Sequence, residues 1–143
     1  MIRNIILVDD SDFKREDIKN DLLGIFPDTA IYEFCCVGDA LLFMCIDNRD
    51  AIKDKPDEWL VVTDMCMPFR EGDEILKDGG EEILRKMNRC RFKVPAVVAS
   101  QDRIPESRIN ELQDAYPVMI GAVEHDTSVF NRPFYEKLLS GYR

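Results

Sequence analysis

The feature that most constrains this chain is a short apolar run that ends on a carboxylate and is soon stopped by a proline. The run is Trp59–Thr63, and Asp64 follows it directly, with Pro68 four residues later. A continuous Val- and Leu-rich run is typical of a strand buried on both faces, as in a parallel sheet between helix layers. Asp64 then lies at the carboxyl edge of the sheet, where open α/β proteins bind ligands. Because burying a lone carboxylate is costly, the sequence predicts a cation or hydrogen-bond donors beside Asp64.

The rest of the chain alternates between strand-like and helix-like segments. Three further runs have strand character, at residues 4–8, 29–36 and 94–99. Apolar residues at helical spacing predict helices at residues 13–26, 38–48, 81–88, 104–116 and 135–142. Alternation of this kind, counted over five strands, predicts a parallel sheet with helices on both faces.

Two assignments are less clear from the pattern. The last strand is either residues 118–123 (VMIGAV) or residues 127–131 (TSVFN), and we prefer 127–131 because Arg132 and Pro133 follow it directly. Residues 50–58 are charged and contain a proline, which predicts a surface loop.

Length, charge and cysteine content exclude several classes of protein. A chain of 143 residues fits one domain, and its net charge of -9 without a basic cluster argues against direct binding to nucleic acid or anionic membrane. No apolar stretch is long enough to cross a membrane. Five cysteines without a CxxC spacing predict reduced thiols in a cytoplasmic protein rather than a disulfide framework or a zinc site.

Polar side chains stand at four strand ends of the predicted sheet: Asp9 and Asp10, Asp64, Ser100, and Arg132. Because parallel strands point the same way, these groups are expected to gather at one edge. Neighbouring carboxylates repel one another unless a cation lies among them, and oxygen ligands of this kind suit Mg²⁺ or Mn²⁺. A carboxylate left partly free beside that metal is a nucleophile for a phosphoryl group.

With these pieces in view, the chain resembles the receiver domains of two-component response regulators, particularly single-domain chemotaxis-type receivers. The matching segments are residues 6–10 (ILVDD), 63–68 (TDMCMP), 97–100 (VVAS) and 132–134 (RPF). The resemblance implies a flavodoxin-like, doubly wound, five-stranded parallel sheet with strand order 2-1-3-4-5. It also implies one receiver domain over residues 1–143 without an output domain.

The resemblance further implies a signalling protein rather than an enzyme. Asp64 would accept a phosphoryl group from a phosphohistidine of a sensor histidine kinase or a histidine phosphotransfer protein. Mg²⁺ would be bound by Asp9, Asp10, Asp64 and the backbone carbonyl of Cys66. Ser100 would be the switch hydroxyl, and phosphorylation would change binding to a downstream protein target that the sequence does not identify.

The chain also departs from the family pattern. Compared with compact receivers, the segments 69–77 and 117–126 are expected to be insertions that shape the rim of the site and the face that meets a partner. Arg132 stands where these receivers usually have lysine, and Gln101 stands where a small residue is usual. A guanidinium can bind a carboxylate through two parallel hydrogen bonds, so Arg132 could stay paired with Asp64. The alternative function is then an interaction module that keeps the receiver fold and acts without phosphorylation. A Mg²⁺-dependent phosphatase of another α/β type is disfavoured because the sequence around Asp10 and Asp12 lacks its pattern. The single histidine, His125, is expected in a surface turn.

Overall fold

A computed structural model describes the whole chain, Met1–Arg143, and places five strands in one parallel sheet. Two further short strands, β4 (Met67–Pro68) and β5 (Ile75–Leu76), form a separate two-stranded sheet. In chain order the strands are β1 (Asn4–Val8), β2 (Ala30–Phe34), β3 (Trp59–Thr63), then β4 and β5, then β6 (Ala96–Ser100) and β7 (Met119–Glu124). The helices are α1 (Asp12–Ile25), α2 (Val37–Leu42), α3 (Arg49–Asp54), α4 (Gly79–Arg89), α5 (Glu106–Ala115) and α6 (Arg132–Leu139). A π-helical turn, Phe43–Asp47, continues α2, and short 3₁₀ turns occupy Pro56–Glu58 and Ser140–Tyr142. No helix is both long and apolar enough to span a membrane.

The main sheet has the order β2-β1-β3-β6-β7, and every pairing is parallel. Counted over these five strands, the order is 2-1-3-4-5, which confirms the predicted fold class. Val8 of β1 is paired with Thr63 of β3, and the backbone N–H of Asp64 donates to the carbonyl of Val8 at 2.9 Å. The register therefore brings Asp9 and Asp64 to the same level of the carboxyl edge.

Each face of the sheet has its own apolar core, because successive side chains of a strand point to opposite faces. On one face, Ile6 and Val61 belong to a cluster of 20 buried residues that also includes residues of α2, α4 and α5. On the other, Leu7 and Val62 belong to a cluster of 14 that includes residues of α1 and α6. All five residues of β3 are buried, as expected of a strand covered on both sides. The sheet is thus doubly wound.

The preference for residues 127–131 as the last strand was wrong. The edge strand is β7, in which Met119, Gly121 and Val123 are buried, whereas residues 127–130 are exposed. A Cβ atom at Gly121 would lie 2.7 Å from Leu138, so the glycine allows α6 to pack closely on this strand. The side chain of Asp126 accepts a hydrogen bond from the backbone N–H of Ser128 at 2.9 Å. This contact forms a turn after β7, so the segment 127–131 does not continue as a strand.

Two other segments are now defined. The segment predicted as a loop at residues 50–58 is instead helical up to Asp54, where α3 ends, because Ile52 is 1% exposed and packs this turn against the core. The insertion near residues 69–77 forms the end of a small antiparallel hairpin, in which Met67 pairs with Leu76. Residues 117–126 are not an insertion, because they contain β7.

Candidate functional site

Asp64 lies directly after β3, largely buried at the carboxyl edge of the sheet. Its side chain is 12% exposed, and its Oδ1 accepts a hydrogen bond from the backbone N–H of Met65 at 2.7 Å. Burial raises the pKa of Asp64 to about 6; the nearby ammonium of Lys14 opposes this rise and the carboxylate of Asp9 adds to it. A carboxyl group with this pKa is mostly ionised at neutral pH.

Asp9 and Asp10 follow β1 and complete a group of three carboxylates. Asp9 is fully buried and its Oδ1 accepts from the backbone N–H of Ser11 at 2.9 Å, whereas Asp10 is exposed. One carboxylate oxygen from each of Asp9, Asp10 and Asp64 lies within 4.8 Å of the other two. Partial burial and the charge of Asp9 raise the pKa of Asp10. The structure thus places these three carboxylates together at the carboxyl edge of the sheet.

The cation of the site is Lys14, which the sequence analysis did not identify. Its Nζ lies 2.8 Å from Oδ2 of Asp9 and 3.2 Å from Oδ2 of Asp64, and it donates to the carbonyl of Ala99 at 3.1 Å. The residue is 5% exposed. A buried ammonium between two carboxylates lowers their mutual repulsion and anchors helix α1 to the ends of β1, β3 and β6.

The local sequence explains why Lys14 points inward. Ser11 is the N-cap of α1 and accepts from the backbone N–H of Lys14 at 3.3 Å, which fixes the first turn. Lys14 precedes Ile18 and Leu22 at intervals of four residues, so all three lie on the face of α1 that packs on the sheet. The sequence therefore did contain a sign of this cation, because Lys14 lies on the apolar face of the helix that follows the paired aspartates.

Arg132 does not lie at this site, and the predicted proximity to Asp64 was wrong. The last strand ends at Glu124, so Arg132 is the first residue of α6 rather than the end of a strand. A side chain at Gly24 would collide with its guanidinium, and Gly24 is ten residues, or about 15 Å, along α1 from Lys14. The Nε of Arg132 is 4.0 Å from Oδ1 of Asp21.

Ser100 and Cys66 are where the sequence analysis expected them. Ser100 is the last residue of β6 and is buried, and both residues line the same small cleft as the three carboxylates and Lys14. The exposed side chains of Gln101 and Asp102 form part of its rim. The structure thus brings together every predicted site residue except Arg132.

The donor set fits a divalent cation bound by oxygen. Three carboxylates and one ammonium leave two negative charges when all are ionised. Oδ2 of Asp9 is buried and has no hydrogen bond; its 2.8 Å contact with Lys14 is an ion pair with poor hydrogen-bond angles. It therefore keeps a free lone pair. The site has the carboxylate oxygens that Mg²⁺ and Mn²⁺ prefer.

His125 is buried, which corrects the expectation of a surface turn. It follows β7 directly, and its backbone N–H donates to the carbonyl of Ser100 at 2.8 Å. Its Nδ1 lies 2.8 Å from the hydroxyl of Tyr135, and its Nε2 lies 2.6 Å from Oδ2 of Asp17. The residue therefore links β6, α1 and α6 beside the cleft. Because the last strand was misplaced, the sequence analysis could not predict this contact.

Solved structures of response regulators match the chain over nearly its whole length. CheY4 of Vibrio cholerae matches with a TM-score of 0.62 and 19% identity, covering 100% of both chains. The phosphorylated cyanobacterial phytochrome response regulator RcpA matches with a TM-score of 0.68 and 19% identity, over 99% of this chain and 96% of its own. The Mn²⁺-bound form of response regulator Rcp1 matches with a TM-score of 0.64 and 15% identity, over 96% and 90%.

These similarities show that the chain has the CheY-like receiver fold. No protein-family model and no curated protein matches the sequence.

Proposed function

We propose that this protein is a phosphoacceptor receiver in which Mg²⁺-dependent phosphorylation of Asp64 changes its binding to another protein. The observation that carries this proposal is the charge arrangement at the carboxyl edge of a receiver fold. Asp64 lies beside the carboxylates of Asp9 and Asp10 and within 3.2 Å of the buried ammonium of Lys14. A nucleophilic carboxylate, a set of metal ligands and a fixed cation are the groups that phosphoryl transfer needs.

In the proposed reaction, a carboxylate oxygen of Asp64 attacks the phosphorus of a phosphohistidine. A P–O bond forms, the P–N bond breaks, and the imidazole leaves with a proton from solvent. Lys14 stabilises the negative charge on the phosphoryl oxygens, and the hydroxyl of Ser100 is a hydrogen-bond donor for the phosphorylated state. When bound, Mg²⁺ neutralises further charge; its ligands would be Asp9, Asp10, Asp64 and the carbonyl of Cys66.

The proposed donor is a sensor histidine kinase or a histidine phosphotransfer protein, and the output is contact with a downstream protein. The similarity to RcpA, whose matched structure is the phosphorylated form, supports this assignment. The end of β6 lies at the cleft, and the residue that follows β7 is joined to it because the backbone N–H of His125 donates to the carbonyl of Ser100. A phosphoryl group that draws Ser100 inward would act on that contact and on α6 behind it.

The second candidate is an interaction module that keeps the receiver fold without being phosphorylated. The observation that favours it is the ion pairing of Lys14 with both Asp9 and Asp64, since a cation held this closely also competes with Mg²⁺ and with an incoming phosphodonor. In this form of the hypothesis Lys14 takes the role that the sequence analysis gave to Arg132.

The first test is intact-mass analysis after incubation with phosphoramidate, with Mg²⁺ or with EDTA. We expect a single phosphoryl adduct that requires Mg²⁺ and is absent in Asp64→Asn. An adduct that persists in Asp64→Asn would place the modification elsewhere. If no adduct forms with Mg²⁺ in a folded protein, the interaction module becomes the better description.

Replacement of Lys14 separates the two candidates. If its ammonium stabilises the transferring phosphoryl group, Lys14→Met lowers the rate of adduct formation about 100-fold, as loss of a single charge-stabilising donor typically does. If the ammonium blocks Asp64, the same variant is phosphorylated faster than the native protein. Arg132→Gln is the matched control, and we expect its rate to equal the native rate because Arg132 lies against Gly24 at the other end of α1.

A further inference from the structure

Two cysteines far apart in sequence lie in contact on the side of the sheet that carries α2 and α4. Cys45 is the middle residue of the π-helical turn, and Cys90 is the residue that ends α4. Their Sγ atoms are 3.6 Å apart, which is van der Waals contact. Both residues are partly exposed. The two thiols are therefore adjacent and accessible to a small molecule from solvent.

The contact is held by the core beneath it. Met44, beside Cys45, and Met87, one helical turn before Cys90, are both fully buried in the same apolar cluster. The π-helical turn adds a residue to the helix repeat and so directs Cys45 toward α4. Because the buried methionines hold both segments of backbone in place, the two sulfur atoms are in contact without movement of a loop.

Burial and the neighbouring thiol raise the pKa of Cys45 to about 12, although the positive charges of Lys86 and Arg49 oppose the rise. The thiolate is the reactive form toward oxidants, so oxidation of the pair begins at the thiol that first loses its proton.

We propose that Cys45 and Cys90 form a reversible disulfide when the protein meets a peroxide. The thiolate sulfur of one of the two cysteines attacks one oxygen of hydrogen peroxide and breaks the O–O bond. This step gives a sulfenic acid on that cysteine and hydroxide, which takes up the proton lost by its thiol to give water. The sulfur of the other cysteine then attacks the sulfenic sulfur, and the departing hydroxyl leaves with the second thiol proton as a second water. In sum, two thiols are oxidised to one disulfide and one peroxide is reduced to two waters.

The bond would fasten the turn after α2 to the end of α4. The other end of α4 packs on the active edge of the sheet, where the backbone N–H of Gly80 donates to the carbonyl of Met65 at 2.8 Å. The cross-link also closes a loop across 45 positions of sequence, which restricts the unfolded chain and raises the melting temperature by several degrees.

The test uses the native protein, first reduced and desalted, then treated with hydrogen peroxide near stoichiometric concentration. We expect the mass to fall by two hydrogens, and non-reducing peptide mapping to recover one peptide pair linked through Cys45 and Cys90. Dithiothreitol should restore the original mass and melting temperature. Cys45→Ser and Cys90→Ser should each lose the linkage, whereas Cys66→Ser, a matched control with a partly exposed thiol elsewhere, should keep it.

Three outcomes would overturn the proposal. One is a protein that keeps five free thiols after treatment although its circular dichroism shows it folded. Another is a mass gain from added oxygen without loss of hydrogens. The third is a linkage that maps to a different pair of cysteines.

Discussion

At Asp64, burial and charge oppose ionisation more than they favour it. The side chain is largely buried and faces Asp9, and the single ammonium of Lys14 is shared between the two carboxylates. The pKa of Asp64 is consequently raised from 3.8 to about 6, with burial as the main cause. The Asp64 carboxyl is therefore harder to ionise in the folded protein than in the unfolded chain, and its ionisation lowers the free energy of unfolding.

The raised pKa predicts a pH dependence of stability. Below pH 3.8 Asp64 is protonated in both states; as the pH rises toward 6 the unfolded state loses the proton first, so the free energy of unfolding falls. At pH 7 we expect Asp64→Asn to be more stable than the native protein by about 1 to 3 kcal/mol, and this difference should vanish near pH 4. Urea denaturation in EDTA across pH 4 to 8 measures both values.

The control for this prediction is Asp28→Asn, since Asp28 is an exposed carboxylate in the turn after α1. Its stability should follow that of the native protein at every pH. An Asp64→Asn variant less stable than the native protein at pH 7 would contradict the prediction, because it would mean that Asp64 gains more from Lys14 than burial costs it.

Residue by residue, the sequence predicted the acidic part of the site and missed its cation. Asp9, Asp10, Asp64 and Ser100 could be predicted because each directly follows or ends a buried run, and parallel strands bring such ends together. Lys14 reaches the site with a long side chain from a helix, so its position depends on helix packing rather than on the end of a strand. Chain order alone could not give that packing.

At the scale of secondary-structure elements, the start of α4 is fitted closely against the backbone around Asp64. A Cβ atom at Gly80 would overlap the carbonyl oxygen of Asp64 and lie 2.9 Å from Cα of Met65. The glycine therefore permits the helix to begin directly against the backbone of Asp64. A displaced α4 would shift the same backbone that positions Asp64 and Cys66.

We therefore expect Gly80→Ala to lower the free energy of unfolding by about 1 to 3 kcal/mol through overpacking. Chemical denaturation of this variant gives the value directly. Gly141→Ala is the control, because a Cβ at Gly141 has no atom within 4 Å and should leave stability nearly unchanged. Equal effects of the two substitutions would show that backbone entropy, not the contact with Asp64, decides the cost.

Most elements were predicted, and the last strand shows why one was not. Residues 127–131 were preferred because Arg132 and Pro133 follow them directly, yet the side chains of Val129 and Phe130 in this segment are 52% and 65% exposed. The true strand, β7, contains Gly121, a residue that ordinarily weakens a strand. The glycine is there because α6 packs on it, and that contact joins residues too far apart for a local pattern to reveal.

At the scale of the whole molecule, one buried hydrogen-bond chain joins the end of the sheet to the first and last helices. His125 follows β7, Asp17 belongs to α1 and Tyr135 belongs to α6, and the two contacts measure 2.6 and 2.8 Å. Burial raises the pKa of Tyr135, so its hydroxyl stays protonated and available as a hydrogen-bond donor. These two contacts join α1 to α6 on the face of the sheet that both helices cover.

Removal of the Tyr135 hydroxyl tests this link. Tyr135→Phe keeps the buried ring but leaves a nitrogen of His125 unpaired, so we expect the free energy of unfolding to fall by about 1 to 3 kcal/mol. Thermal or urea unfolding measures the loss. Tyr142→Phe, at a 36% exposed ring in the terminal turn, should change stability little. Similar values for both variants would mean that the buried hydrogen bond contributes nothing measurable.

The placement of Lys14 on α1 also bears on how such proteins can be recognised. All of the charged side chains proposed for the phosphoryl site stand in the first 64 positions, and Ser100 is the last residue assigned a role there. The final 43 residues therefore carry none of the charged side chains of the proposed site. A search pattern anchored on a basic residue near the C-terminus matches this chain at Arg132, which lies outside the cleft, whereas paired aspartates followed four positions later by an inward-facing lysine describe the residues that line it.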